Sequence, residues 1–411
     1  MQALHPAEIE MSLGRMHSVL AAIGHPERRL PPVIHIAGTN GKGSTLAMVR
    51  AGLTAAGQVV HAYTSPHLQR FHERIVLAGA EISETQLIEV LGETLDRNGD
   101  APLTYFEATT AAALLAFANH PADVLLLEVG LGGRLDATNV IDAPLLTVIT
   151  PVDMDHQEYL GDSRALIATE KAGIMKRGVP CIVGPQPDDA LEPIEQRAAR
   201  LGAPLLAYGQ QWHVWSEHGR TVFQDETGLL DLPPPGLVGP HQIQNAGTAI
   251  AVLRHLGHGE DVCAAAVSDA VWPARMVRLK PGALTSLVPA AELWLDGGHN
   301  PSAGRALAAT LATLPKRPTW AVVGMLANKD HEGFLGPIGE HLDGMITVPV
   351  PDTNGGADPN DLTGSLNQPT HVATDVRAAL SMVQSIEPAA RILICGSLYL
   401  AGSVLTAHGA V

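Results

Sequence analysis

His35-Ile36-Ala37-Gly38-Thr39-Asn40-Gly41-Lys42-Gly43-Ser44-Thr45 follows the apolar run Pro32-Val33-Ile34 and leads into Leu46-Ala47-Met48-Val49-Arg50-Ala51-Gly52-Leu53, which reads as a helix. A strand, a glycine-rich turn and a helix start make a phosphate cradle. Glycines let backbone N–H groups turn inward, the helix N-terminus favours negative charge, and one lysine neutralises phosphates. The common form is G-x-x-x-x-G-K-[ST]. Here the string is Gly38-x-x-Gly41-Lys42-Gly43-Ser44, with a shorter lead-in and an extra glycine before the hydroxyl residue. A bare βα turn would also accept glycines, but three of them around one lysine and one serine point to a nucleoside triphosphate. Gly38, Thr39, Asn40, Gly41, Lys42, Gly43, Ser44 and Thr45 are the candidate contacts, with the Ser44 hydroxyl placed to meet Mg²⁺.

Outward from this loop the chain alternates strands and helices. An amphipathic helix is expected over residues 5–23, with Ile9, Leu13, Met16, Val19, Leu20 and Ile23 near helical spacing. Val59–Tyr63 reads as a strand, Ser83–Leu95 as a capped helix and Thr104–Phe117 as an Ala-rich helix. Continuous apolar runs at Asp123–Val129, Leu145–Thr150 and Pro180–Gly184 have the character of strands buried on both faces. This is the signature of an α/β fold with a doubly wound, mainly parallel sheet whose strand C-terminal ends carry the site. Leu205–Leu232 breaks the pattern and suggests an antiparallel excursion, followed by helices at His241–Leu256 and Asp261–Val271. Beyond Trp272-Pro273-Ala274-Arg275 and the Lys280-Pro281-Gly282 turn, βα alternation restarts, so residues 1–280 and 281–411 are expected as a larger and a smaller, Rossmann-like α/β domain. Pro349–Asn360 is expected as an exposed loop.

Composition sets limits on function. At 411 residues the chain should carry more than one hydrophobic core. A formal charge of −16 argues against a nucleic-acid surface, which needs a concentrated basic patch. Cys181, Cys263 and Cys395 stand apart in apolar surroundings, as buried thiols in a reducing compartment do. No basic-then-apolar leader and no long apolar run is present, so a cytoplasmic protein, monomeric and without membrane contact, is expected.

Other residues carry chemistry by position. Glu128 ends a buried strand, where an acid either directs a metal or only caps the following loop. His156, beside Asp153, Asp155 and Glu158, is balanced between metal ligation and a structural role. Glu170 and Lys171 read by default as a charged pair on a solvated helix face.

Seven strings occur in one order: Gly38-Thr39-Asn40-Gly41-Lys42-Gly43-Ser44, Thr64-Ser65-Pro66-His67-Leu68, Phe71-x-Glu73-Arg74-Ile75, Glu128-Val129-Gly130-Leu131-Gly132-Gly133-Arg134-Leu135-Asp136-Ala137-Thr138-Asn139, Asp155-His156, Glu170-Lys171-Ala172-Gly173-Ile174 and Asp296-Gly297-Gly298-His299-Asn300-Pro301. Together they closely resemble the folylpolyglutamate synthase/dihydrofolate synthase family, relatives of the Mur ligases, over essentially the whole chain. The resemblance implies a P-loop Mur-ligase-like central domain and a C-terminal glutamate-ligase domain. It implies an ATP-dependent ligase that joins L-glutamate to dihydropteroate or reduced folates through an acyl phosphate. By similarity, Ser44 and Glu128 hold one Mg²⁺ at the phosphates, and His156 joins Glu128 at a second ion. Lys171 matches a lysine carbamylated by CO₂, and Lys42, His156 and Lys171 are the catalytic candidates. Asn245, Arg275, Asp296 and His299 match ATP-site positions. Ser65, Pro66, His67, Phe71, Arg74, Phe106, Glu107, Thr109, Arg134, Leu135 and Asp136 fall in the folate-binding region, although Phe71 and Phe106 read equally as buried core. Lys329 reads as a site-facing base or a solvated side chain.

The chain departs from the family at Pro273-Ala274-Arg275-Met276, where Pro-Gly-Arg-Phe is usual. A Mur-type ligase acting on a nucleotide-sugar peptide is disfavoured because the P-loop begins by residue 38. A P-loop ATPase stays open, and glutamate dependence would separate it from a ligase. ATP contacts on both sides of the linker lead to an expectation of closure about the Lys280–Gly282 turn.

Overall fold

The strand that feeds the glycine loop lies at the heart of an eight-stranded sheet. The computed structural model describes residues 12–351 and 353–409; Ile9 and the expected helix start at residue 5 lie outside them. Two units separate, Met1–Gly236 with Ile243–Ala270 and Leu237–Gln242 with Val271–Val411.

In the first unit the strands are β1 (Val33–Ala37), β2 (Val60–Tyr63), β3 (Ile75–Leu77), β4 (Ala80–Glu81), β5 (Val124–Glu128), β6 (Leu146–Ile149), β7 (Cys181–Val183) and β8 (Leu205–Ala207). Their order is β4-β3-β2-β5-β1-β6-β7-β8. All pairings from β2 to β8 are parallel, and β3 and β4 form an antiparallel edge. β1, β2, β5, β6 and β7 are buried throughout, which explains their unbroken apolar runs. The helices are α1 (Gly14–Ala22), α2 (Lys42–Ala55), α3 (Glu84–Asn98), α4 (Tyr105–Asn119), α5 (Gln157–Leu160), α6 (Arg164–Ala172), α7 (Asp188–Leu201), α8 (His241–His255) and α9 (Glu260–Ser268). One core gathers residues of α1, α3 and α4 with β5, and another those of α6 and α7 with β6 and β7. Ser83 and Thr104 start α3 and α4 with reciprocal capping boxes to Gln86 and Glu107.

The antiparallel excursion is narrower than expected. It comprises β9 (Trp212–Glu217), β10 (Arg220–Asp225) and β11 (Gly228–Leu232), with Trp212 stacked on Phe223 at 5.8 Å. Leu205–Ala207 instead pairs in parallel with β7, because its backbone completes the main sheet edge.

The second unit holds β12 (Val277–Arg278), β13 (Glu292–Leu295), β14 (Thr319–Val323), β15 (Gly344–Thr347), β16 (Thr370–Val372) and β17 (Arg391–Cys395). Their order is β12-β13-β17-β14-β15-β16, with only β12 antiparallel. Helices α10 (Pro301–Thr313), α11 (His331–Gly339), α12 (Val376–Ile386) and α13 (Leu398–His408) complete it. The division after Ala270 differs from the expected one after Lys280. Val277 and Arg278 pair with Leu295 and Trp294, and Met276 is buried in this unit's core, so the segment belongs here. The Lys280–Gly282 turn is no free hinge either: the His408 ring bonds to Lys280 O at 2.9 Å and accepts from Leu284 N–H at 3.3 Å. The loop from Pro349 is not wholly exposed, since Val350 and Ala357 are buried. Cys181, Cys263 and Cys395 are buried free thiols, as expected.

Candidate active site

The glycine loop leaves β1 at the C-terminal edge of the sheet and ends at Gly41, the N-cap of α2, with φ 87°. A side chain at Gly41 would collide with Asn245 Oδ1, and one at Gly38 with Thr150, so backbone approaches these neighbours where only glycine fits. Thr39 clamps the loop to the segment after β6. Its N–H donates to Pro151 O at 3.0 Å, its hydroxyl donates to Asp153 O at 2.9 Å, and Asp153 N–H stands 3.1 Å from that hydroxyl. Such bracing preorganises a phosphate-binding backbone.

Two lysines converge here. Lys42 Nζ donates to Gly38 O at 3.1 Å and to Thr39 O at 3.3 Å, while Lys171 Nζ donates to Gly38 O at 3.0 Å. Lys171 is only 5% exposed, which overturns the default reading of a solvated helix face. Burial, with the Lys42 charge adding to it, pulls its pKa down to about 7, against the opposing pull of Asp155 and Asp136. Glu170 turns away and pairs with Arg134 at 2.9 Å.

Glu128 is a buried carboxylate at the end of β5, beside Ile36 of β1, and accepts from Ser65 N–H at 3.3 Å. Ser44 is buried in the first turn of α2. His156 is exposed, left-handed at φ 50° as the N-cap of α5, with Nε2 3.9 Å from Asp155. Among the described residues no three His, Cys, Asp or Glu side chains gather into a metal cage, so the acids around His156 do not form one. Thr45 is enclosed; its N–H donates to Gly41 O within α2, and its buried hydroxyl has no hydrogen-bond partner among the described residues.

The loop after β2 is shaped by Glu73, whose carboxylate accepts from the N–H groups of Leu68, Gln69 and Arg70 at 2.7–2.9 Å. Arg74 donates to His67 Nδ1 at 2.9 Å and lies over the rings of Phe71 and Tyr105, 5.2 and 6.0 Å from their centroids. Half-buried Phe71, His67 and Tyr105 around the buried Arg74 offer aromatic edges and a cation together, whereas Pro66 is exposed beside them. Phe106 packs over Gly130, where a side chain would strike its ring, so the loop after β5 and the start of α4 meet closely.

Three expected folate residues turn inward. Glu107 accepts from Thr104 N–H at 2.8 Å and pairs with Arg15 at 3.1 Å. Thr109 is buried, with its hydroxyl on Tyr105 O at 2.9 Å. Asp136 is buried and accepts from Leu131 N–H at 2.8 Å and from Thr138 N–H and hydroxyl at 3.0 and 2.5 Å; burial raises its pKa. These side chains shape the walls. Arg134 is exposed and Leu135 half-buried. Arg15 and Thr150 were not picked out by sequence reasoning: nothing in the local pattern ties them to motifs distant along the chain.

In the second unit, Asp296 directly follows β13 and accepts from Met276 N–H at 2.8 Å and Gly298 N–H at 2.7 Å. Burial raises its pKa against the pull of Arg275. Arg275 donates to Ala274 O at 2.9 Å, and the His299 ring nitrogen lies 3.0 Å from Gly297 O. Lys329 lies in the loop after β14 and is half-buried.

Residues 36–253 match the Mur ligase middle domain, and residues 286–398 the Mur ligase glutamate ligase domain. The dihydrofolate synthase/folylpolyglutamate synthase of Escherichia coli (strain K12) is 34% identical over 408 residues, covering 98% of this chain and 93% of the relative. The chain belongs to the folylpolyglutamate synthase/dihydrofolate synthase family. Another member, from Bacillus subtilis (strain 168), is 36% identical over 316 residues, or 74% of this chain and 72% of that protein. The E. coli enzyme in complex with DHPP and ADP superposes with a TM-score of 0.89 at 34% identity, covering 98% of this chain and 95% of that one. A bifunctional family structure with Mn, AMPPNP and L-glutamate bound gives 0.88 at 34% identity, covering 99% and 96%. The family's mixed α/β architecture, with mainly parallel sheets, is therefore the architecture of this chain.

Proposed function

We infer that the chain is an ATP-dependent amide ligase that joins L-glutamate to dihydropteroate, giving dihydrofolate, and adds further glutamates to reduced folates. The observation that carries this reading is the braced glycine loop with Lys42 and the buried Lys171 on one carbonyl, in a chain so similar to enzymes that combine both activities. Relatives solved with ADP and DHPP, and with Mn, AMPPNP and L-glutamate, support the substrates.

In this reaction a substrate carboxylate oxygen attacks the γ-phosphorus of ATP, and the β–γ bridging bond breaks with its electron pair leaving on ADP. The resulting acyl phosphate is attacked by the glutamate amine, which loses a proton, and the C–O bond to phosphate breaks. Lys42 and the backbone N–H groups from Gly41 to Gly43 hold the phosphates and offset their charge, while the Thr39 and Asn40 N–H groups stay on Pro151 O. Thr39, through Asp153 and Pro151, keeps those donors in place. Asn245 beside Gly41, with Arg275, Asp296 and His299, is assigned to ATP. The cluster of Ser65, Pro66, His67, Phe71 and Arg74, with Phe106, Arg134 and Leu135, is assigned to the pterin substrate, and Glu107, Thr109 and Asp136 to its support.

Ser44 and Glu128 supply the hard oxygen donors Mg²⁺ prefers, and an ion that arrives with a nucleotide needs only one or two protein ligands, so the residues fit. Such an ion, when bound, would neutralise charge on the phosphates; His156 joining Glu128, with Lys171 beside them, would serve a second. We assign a carbamate to Lys171. Its neutral Nζ attacks CO₂, an N–C bond forms, one C=O becomes C–O⁻, and Nζ gives its proton to water. The product replaces one of two like charges on Gly38 O with an anionic oxygen ligand.

Among the described residues no helix is long and apolar enough to cross a membrane. The three buried thiols support a reducing compartment, the cytoplasm. The test is ADP release with Mg·ATP and L-glutamate, using dihydropteroate or tetrahydrofolate as acceptor. Turnover with both establishes the bifunctional ligase. Release that ignores glutamate and both pterins makes the chain an ATPase.

A further inference from the structure

The second unit carries a basic cavity at the edge of its sheet opposite Asp296. Glu292 and Arg391 are the first residues of β13 and β17 and lie side by side in register. Asp296 follows the far end of β13, roughly 13 Å away at strand spacing. The cavity has a volume of about 490 Å³, and its lining includes Arg278, Lys316, Arg317 and Arg391, with Glu292 as the only acid. Four cations thus face one carboxylate, in a chain whose formal charge is −16.

The geometry leaves that excess uncompensated. Glu292 Oε1 is 3.0 Å from Arg317 and 3.4 Å from Arg278, while Oε2 is 3.7 Å from Arg391 Nε. Oε2 also accepts from the Trp294 indole N–H at 3.3 Å. Glu292 is therefore shared among three guanidiniums. Arg391 is 4% exposed, and its Nε, though buried, makes no hydrogen bond. Its other nitrogens bond to Pro315 O at 2.7 Å and Thr319 Oγ1 at 3.5 Å. Arg317 is anchored on Ala389 O at 2.5 Å and Ala290 O at 2.8 Å, so its fork is held rigid at the wall. Arg278 and Lys316, by contrast, are exposed and stand at the mouth. Pre-positioned guanidinium forks beside flexible cations, with the Trp294 ring as an apolar wall, make a site for a multiply charged oxyanion.

We propose that this cavity binds a small organic polyanion carrying two or three carboxylate or phosphate groups, at a site separate from the nucleotide loop. A single phosphate would not fill it, and its volume is that of an ordinary small-molecule pocket. The charge excess calls for two or three negative charges. Carboxylate and phosphate present the same paired oxygens to a guanidinium, and the two probes below tell them apart.

The Trp294 indole N–H reports on this cavity, since both Trp294 and its acceptor Glu292 line it. Its NMR signal, assigned with Trp294→Phe, is followed in the full chain during titration with citrate and, separately, with pyrophosphate. The expected result is a saturable shift with at least one probe. The double variant Arg278→Ala/Lys316→Ala, which leaves the anchored Arg317 and Arg391 in place, should weaken it about tenfold or more. Lys42→Ala, which disables the nucleotide loop, should leave the shift unchanged. Saturation by citrate alone assigns a polycarboxylate, and by pyrophosphate alone a phosphate ligand. No shift with either probe, or an equal shift in the double variant, overturns the proposal.

Discussion

Lys42 and Lys171, 129 positions apart by their numbers, donate to the same carbonyl oxygen, that of Gly38, at 3.1 and 3.0 Å. Burial, with repulsion between the two ammonium groups on one acceptor adding to it, brings the Lys171 pKa down to about 7. This relationship ties the start of α2 to the end of α6 and accounts for a lysine among residues assigned to anionic substrates.

The sign of its pH dependence follows. The ordinary lysine value is 10.5 and the folded value about 7, so between them the unfolded chain binds more protons and stability rises with pH. Only the neutral amine takes up CO₂. At constant dissolved CO₂, incorporation of ¹³C at Lys171 should rise steeply with pH up to about 7 and go on rising, less steeply, above it, because the carbamate forms with release of a proton. Carbon NMR on labelled protein measures this; a signal that is flat across that range, or that persists in Lys171→Ala, removes the carbamate. Lys171→Ala should lose ADP release almost entirely and regain part of it with small carboxylic acids.

Gly130 lies against the Phe106 ring. Gly130→Ala should push the ring aside and raise the KM for dihydropteroate by roughly tenfold, equivalent to about 1.4 kcal/mol of lost substrate binding, with little change in the KM for ATP. Steady-state kinetics with each substrate varied decides it; equal changes in both would show that the contact supports the unit as a whole.

Glu107 is held by the cap of α4 and by Arg15. Glu107→Ala should cost about 1–2 kcal/mol of stability in urea unfolding. Glu107→Gln, which still accepts at the cap, should cost less and leave the KM for dihydropteroate within about threefold, a change worth under 1 kcal/mol. A large KM rise in the Gln variant would mean that the carboxylate touches substrate.

Ala274 adopts φ 51° where glycine is usual in the family, and Met276 adopts φ 45° on the other side of Arg275. A left-handed alanine costs about 1–2 kcal/mol, part of which glycine forfeits through its freer unfolded chain. Ala274→Gly should therefore stabilise the protein by about 0.5–1 kcal/mol. A loss of stability on chemical denaturation would show that the Ala274 methyl contributes packing worth more than the strain.

The order of strands and helices, the glycine loop and the family motifs were all legible along the chain, because each rests on local spacing: period-two or unbroken apolar runs, capping residues, glycines around a lysine. Local spacing could not say that Leu205–Ala207 joins the main sheet or that Val277–Arg278 belongs to the second one, since strand pairing is a contact between distant segments. Nor could it show that Lys171 is buried on Gly38 O, that Glu107 and Asp136 serve as braces, or that three guanidiniums from separate strands and loops share one glutamate. By itself the sequence determined which residue types stand at each strand end and loop, and hence the family. Only the tertiary structure decided which of them meet, because burial, shared acceptors and uncompensated charge arise from packing between segments far apart along the chain.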